Sequence, residues 1–379
     1  MDVMARRRAI MAHIARLVKK IISSVTGLVS FTTNVIRPVK VTCEFSPVQE
    51  GTGDPSPDNV RPISGWTGCE IGHTGKNLFD SSNPEKVSGK IKNDSGDIIK
   101  DSTGSFSQQF VRVKPSTSYF ISGLIETRSK RAYFYTKDKT WISRTSAYSG
   151  VSEFSITTPA NCLFIQLQSG YNDTYETVQI EEGNSVTAYE PYQGATLPIT
   201  FTDPSTGDPL TVYGGTVTLN EDGSADLVAT QALWVEDGTR QPTYTIWKTS
   251  GEGDLYNCTL FGRLPRPQHD YAGGYSKYFI SDNRMFINDI NGHGWENKLC
   301  FASYRSSALS FAYSIPKNLS TKAEVAAYFA ENPTTVVYSL ATPITYHFDN
   351  IGQLNSFLGE NNIWHDMNGS ITAEYYKKQ

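Results

Sequence analysis

Residues 131–144 read RAYFYTKDKTWISR, and this run decides the fold class. In an extended chain Tyr133 and Tyr135 fall on one side and Phe134 on the other, a period of two that matches a strand and not a helix. The polar stretch Lys137–Lys139 interrupts the run and apolar character returns at Trp141, the layout of two strands joined by a tight turn. The layout recurs on both sides, in FVRVKP from Phe110, SYFISGLIE from Ser118, SEFSITTP from Ser152, LFIQLQS from Leu163 and TVQIEEG from Thr177. Short strands separated by turn residues predict a jelly roll or β-sandwich over residues 76–194, not alternating β and α units.

Composition points the same way. The chain has 379 residues, enough for two or three domains, and 21 Tyr and 18 Phe stand against only 19% charged residues, a balance of β-rich globular proteins. A net charge of −4 supplies no overall basic field, so no nucleic-acid partner is expected. Five cysteines, widely spaced and odd in number, fit neither a disulfide framework nor a paired zinc motif.

Beyond the sandwich the chain reads as a second β-rich domain with one or two short helices. VKVTCEF (Val39–Phe45) alternates as a half-buried strand. GTGDPSPDNVRPISGW (Gly51–Trp66) follows, and Pro55, Pro57 and Pro62 hold it out of both helix and ladder. After residue 194, GATLPITF and TVTLNEDGSADLVA continue the β pattern, and Asp222-Gly223 predicts a tight hairpin turn. Residues 37–75 and 195–379 are therefore expected to be two parts of one domain split by the sandwich, with SITAEYY (Ser370–Tyr376) beside VKVTCEF. The helices are expected at Ser320–Glu331, which has an N-cap and stops before Asn332-Pro333, and at Ile351–Phe357. At the front, Ile10, Ile14, Leu17, Ile21, Val25 and Leu28 recur at helical spacing, predicting a basic amphipathic helix within residues 1–36 that assembles with a partner. Arg16, Lys19 and Lys20 interrupt its apolar run, so no stable membrane insertion is expected.

Short catalytic signatures such as GxSxG, a P-loop or HExxH do not occur in the sequence. Adjacent Glu181 and Glu182 would point to opposite faces of a strand and could not flank one glycosidic bond. His293, in NGHGW, has no partner at metal-ligand spacing, and Asn220, Asp222 and Asp226 depart from a calcium-loop pattern. No cofactor or metal site is expected from these residues; a structural calcium, which some jelly rolls hold, is not located by them. The remaining candidate chemistry is aromatic: Tyr133, Tyr135 and Trp141, with Arg131, could present rings and a planar cation to a sugar, against the reading that half of such rings face the core.

Four stretches carry a resemblance: FSPVQEGTGDPSPDNVRPISGWTGCEIGHTGKNLF (Phe45–Phe79), VQIEEGNSVTAYEPYQG (Val178–Gly194), NPTTVVYSLATPITYHF (Asn332–Phe348) and FLGENNIWHDMNGSITAEYY (Phe357–Tyr376). They resemble tail-associated minor structural proteins of phages that infect Firmicutes, in which TGKNLF opens a carbohydrate-binding-module-like sandwich. The resemblance implies a non-enzymatic tail fibre or receptor-binding protein, resident in the virion after assembly in the host bacterial cytoplasm. It further implies a homotrimer that meets other virion proteins through its N-terminus and host-surface glycan through its sandwich. A purely structural head fibre, neck or baseplate spacer is the alternative, and a glycan-cleaving tailspike the second. No sugar-binding residue carries over, because the matching motifs are turns and boundaries.

Overall fold

In the computed structural model the described residues are 19–24, 27–124, 129–170, 172–239, 244–247, 255–261, 279–286, 299–304 and 310–376. They are mainly β, with one helix among them, Lys322–Glu331. His293 lies outside the described residues.

Residues 76–194 contain two facing sheets. One has three strands, in the order Phe154–Thr157, Ser118–Ser122, Gln179–Glu182. The other runs Trp141–Arg144, Arg131–Tyr135, Phe164–Gly170, Ile98–Ser107, Lys86–Lys92, with Val111–Arg112 also paired to Phe164–Gly170. Their inward residues, among them Ile121, Phe134, Ile165 and Ile180, form one continuous apolar core with Phe79. Burying each such side chain contributes about 1.5–3 kcal/mol before conformational entropy is set against it.

The rest of the chain builds a second pair of sheets. The strand Lys40–Phe45 lies between Ile371–Tyr376 and Gly215–Leu219, antiparallel to both, with Cys43 opposite Ile371 and Val217. Gly68–Thr74 lies between Gly194–Thr200 and Gly359–His365 in the other sheet. Val41, Cys43, Ile71, Ile199, Val217 and Ile363 meet between these sheets. Thr74 pairs with Gly194, and the Gly75 amide donates to the Gln193 carbonyl at 2.9 Å, so the sandwich enters and leaves at the end of a single hairpin. Its two ends are thus already adjacent, which keeps the entropy of closing the inserted segment on the host sheet small.

A third apolar cluster forms where the helix Lys322–Glu331 places Val325 and Phe329 against Trp234, Tyr313 and Tyr338. The helix starts as the sequence predicts: Thr321 accepts from the Glu324 amide, and the Glu324 carboxylate accepts from the Thr321 amide. Buried Arg284 closes the cluster, donating to the Ser314 carbonyl at 2.7 Å and to Thr334 Oγ1 at 3.0 Å beneath the Phe329 ring. The Asp222-Gly223 turn also forms, joining Gly215–Leu219 to Ala225–Glu236, with Gly223 at φ +86°.

Two expected helices are corrected. Lys19–Ser24 and Leu28–Thr33 are strands, so Ile21 and Leu28 sit in ladders opposite Glu374 and Trp364; Ile10, Ile14, Leu17 and Val25 lie outside the described residues. Open edges of the two sheets offer unpaired backbone groups to this β-branched segment, and pairing there also buries Leu28, Val29 and Phe31. Ile351–Phe357 is extended as well. Asn350 and Gly352 take positive φ, and the following residues bond to Arg37 and Val39 instead of to one another.

Candidate functional site

The Arg131–Tyr135 strand places Tyr133 opposite Gln166 and Arg131 opposite Gln168, so rings and amides share one face of the larger sheet of the sandwich. That face is covered. The hairpin Lys86–Ser107 changes register at Gly89, which has φ +71°, and folds across it. At the hairpin tip Gly96 rests on Trp141, where a Cβ would come within 2.7 Å of the indole, and Asp94 pairs with Arg144. Lys92 reaches inward, donating to the Tyr135 hydroxyl at 2.5 Å and to Gln166 Oε1 at 2.6 Å. The Tyr133 hydroxyl meets Gln168 Oε1 and the Lys92 carbonyl.

Of the rings expected to meet sugar, Tyr133 and Tyr135 are therefore interior, 0% and 4% exposed. Desolvation pushes the Tyr133 phenol up to about 12, raises Tyr135 too, and lowers Lys92. Trp141 is half-buried against both tyrosines, with centroids 5.7 and 5.9 Å away, and Arg131 is half-buried beside them. The structure brings the four residues together as a packed cluster, not as an open platform.

An open concavity does occur, at the junction of the sandwich with the second pair of sheets. The Thr136–Asp138 turn, Arg112 and Asn161 form one wall and the Met367–Gly369 turn the other, around about 420 Å³. Arg112 donates to the His365 carbonyl at 3.0 Å, and its guanidinium lies 5.0 Å from the Trp364 ring and 5.6 Å from Phe164. Lys137 is exposed, its ammonium 5.7 Å from the Trp66 ring. Burial lowers the Arg112 guanidinium to about 10, still cationic at neutral pH, and burial also lowers Lys137, which Arg112 depresses further while Asp138 and Asp366 oppose the shift. His365, behind this wall, is held down to about 4, chiefly by burial and then by the Arg112 and Lys137 charges.

The carboxylates of Glu181, Glu182, Asp222 and Asp226 are engaged within the fold. Glu181 is buried, accepting from Gln179 Nε2 and from the Thr187 amide and hydroxyl, while Glu182 on the opposite face pairs with Lys114 at 2.7 Å. Asp222 accepts from the Ser224 amide and hydroxyl within its turn, and Asp226 accepts from Asn220 Nδ2. Among the described residues no three His, Cys, Asp or Glu side chains come together as metal ligands. Cys43, Cys69 and Cys162 are free and buried.

Residues that sequence reasoning passed over hold the two ends of the sandwich together and brace the host strands where it enters. Lys76 of TGKNLF bonds to Thr187 Oγ1 and the Ala188 carbonyl and pairs with Glu190 at 2.8 Å, all in the returning segment. Asn77 Oδ1 accepts from the Phe79 and Ile180 amides, and its Nδ2 donates to the Val178 carbonyl. Asn362 donates to the Gly75 carbonyl, and Trp364 packs on Gly72. The signal that could have found them was the polar character of Lys76, Asn77 and Asn362 inside otherwise apolar, strand-like motifs.

No known protein family matches the chain, and no curated protein matches it. Solved structures that it matches include a mutant VP2 protein of infectious bursal disease virus in T=1 particles, 7% identical over 94% of this chain and 77% of that one, TM-score 0.13. The Gx strain of the same virus also matches, 7% identical over 94% and 80%, TM-score 0.10. Likeness at this level carries no argument about fold or function.

Proposed function

We propose that this chain is a non-enzymatic virion appendage of the phage tail-fibre or receptor-binding kind, which attaches to host-surface glycan beside its β-sandwich. The observation that carries the reading is the junction cleft. Its volume falls in the range of about 300–1,000 Å³ typical of small-ligand sites, and Thr136, Asn161 and Asn368 place hydroxyl and amide groups around it. Each such site can be weak, because many copies on one particle, or three in a homotrimer, raise the avidity by orders of magnitude. The N-terminal segment would meet other virion proteins.

A purely structural virion role is the second reading. It is favoured by the sealing of Tyr133 and Tyr135 beneath the Lys86–Ser107 hairpin, which removes the most aromatic surface of the sandwich from any ligand. Adsorption of the full-length protein to host cells and to a glycan array, run beside a reducing-sugar assay on host wall polysaccharide, tests both. Attachment without sugar release is expected. Release of reducing ends would establish a glycan-cleaving tailspike instead, and absence of attachment to any cell or glycan would leave the structural role.

A further inference from the structure

We infer that the junction cleft takes an anionic saccharide, one carrying phosphate or carboxylate groups, which Arg112, Lys137 and Lys139 bind by charge. The inference rests on the glycan-attachment reading of the same cleft and adds the chemical class of the ligand.

Three cations converge on this corner. Arg112 and Lys137 line the cleft, and Lys139, two residues further along the same turn, lies 4.9 Å from the Phe110 ring and 5.9 Å from Phe164. Among the described residues none of the three has a carboxylate within ion-pair distance, whereas Lys76, Lys114 and Arg144 elsewhere on the sandwich each do. The acidic groups nearby are Asp138, on the cleft wall, and Asp366, whose Oδ1 already accepts from the Glu70 amide at 2.9 Å. Two cations and one carboxylate thus line the cleft, with Lys139 and the engaged Asp366 just beyond its lining.

The arrangement is suited to an anion in a second way. Arg112 is fixed by its bond to the His365 carbonyl and by its contacts with the rings of Phe164 and Trp364, so little side-chain freedom remains to be lost when a ligand arrives. Those rings already carry cations, which leaves charge, with hydrogen bonds from Asn161, as the available recognition. An anion placed between Arg112 and Lys137 would also relieve their mutual repulsion, which contributes to the lowering of Lys137. The chain's net charge of −4 makes the basic corner a local feature and argues against nucleic acid as its ligand.

Titration calorimetry on the full-length protein at low ionic strength tests this with four probes: poly(glycerol phosphate), oligogalacturonate, neutral dextran and a single-stranded oligo-dT. Binding of at least one of the two acidic saccharides is expected, weakening as salt is raised, with dextran bound about tenfold less tightly or worse. The preferred acidic polymer separates phosphate from carboxylate. Lys137→Glu, at an exposed position, is expected to weaken binding by about tenfold or more without moving the melting temperature, and Lys137→Arg to retain it. Unchanged affinity in Lys137→Glu, dextran bound as well as the acidic polymers, or oligo-dT bound at least as tightly as they are would each overturn the inference. Failure of both acidic saccharides would overturn it as well; adsorption to host cells in that case leaves the glycan reading standing, and loss of adsorption removes both.

Discussion

The ammonium of Lys92 lies 2.5 Å from the hydroxyl of Tyr135, beneath a hairpin that joins it to the far edge of its own sheet. Its second hydrogen-bond acceptor is also neutral, Gln166 Oε1 at 2.6 Å, and the ring of Tyr135 lies 4.9 Å away. A cation held this way has been taken out of water without a carboxylate to offset the loss, so its net contribution to stability is small. Lys92→Met, which keeps the stem, is expected to change unfolding stability in urea by no more than about 1 kcal/mol. Gln166→Leu, which strips an acceptor from a cation that stays buried, is expected to cost about 1–3 kcal/mol. A large loss in Lys92→Met would show that the ammonium itself stabilises the closed hairpin.

Gly72 is required by its neighbour. It stands opposite Trp364 in the ladder, and a Cβ added there would fall 1.9 Å from the indole, which also carries the Arg112 guanidinium 5.0 Å from its centroid. Gly72→Ala must displace Trp364 or spread the strands, and a cost of about 1–3 kcal/mol or more is expected, with altered tryptophan fluorescence. Because Trp364 helps hold Arg112, the variant should also lose affinity for acidic saccharide. A variant that melts and fluoresces like the parent would refute this packing.

Acid should loosen the second pair of sheets. His73, bonded to Asn361 Oδ1 at 2.8 Å, and His365 are both buried, and burial holds each down to about 4 against an ordinary value of 6.5. Between those values the unfolded chain binds protons that the folded chain does not, so stability is complete above about pH 6.5 and falls as pH drops toward 4. Each group can account for up to about 3 kcal/mol over that window. Urea unfolding at pH 7, 6, 5 and 4 measures the loss, and His73→Gln should roughly halve the slope. A flat profile would mean that these imidazoles are hydrated or already charged in the fold.

The helix Lys322–Glu331 depends on its first turn. Thr321→Ala removes the acceptor for the Glu324 amide and is expected to cost about 1 kcal/mol. Since the helix covers Trp234 and Tyr313 and lies apart from the sandwich core, amide exchange should quicken at Val325–Phe329 while Ile121 and Ile165 keep their protection. Equal quickening in both places would mean that the clusters open together.

Much of the fold was legible because the responsible signals are local. The period of two in RAYFY, the positive φ that Asp222-Gly223 supplies, and the Thr321–Glu324 box before an apolar turn all act within a few residues. The expected place of SITAEYY beside VKVTCEF was also readable, since the strands flanking the sandwich needed partners and the last strand could supply one. The N-terminal stripe misled because Ile21 and Leu28, seven residues apart, satisfy a helical spacing while the strands that claim them place Glu374 and Trp364 opposite, more than 300 residues away. IGQLNSF misled in the same way, through backbone bonds to Arg37 and Val39.

The candidate site divides along the same line. Sequence alone determined that Tyr133 and Tyr135 share a face and that Glu181 and Glu182 do not, because alternation is a property of neighbouring residues. Only the tertiary structure decided that the tyrosine face is closed by a hairpin from residues 86–107, and that Arg112 meets His365 and the Met367–Gly369 turn across a cleft. Both outcomes depend on which distant backbone groups and apolar surfaces find one another when water is excluded, and no spacing within a single stretch encodes that.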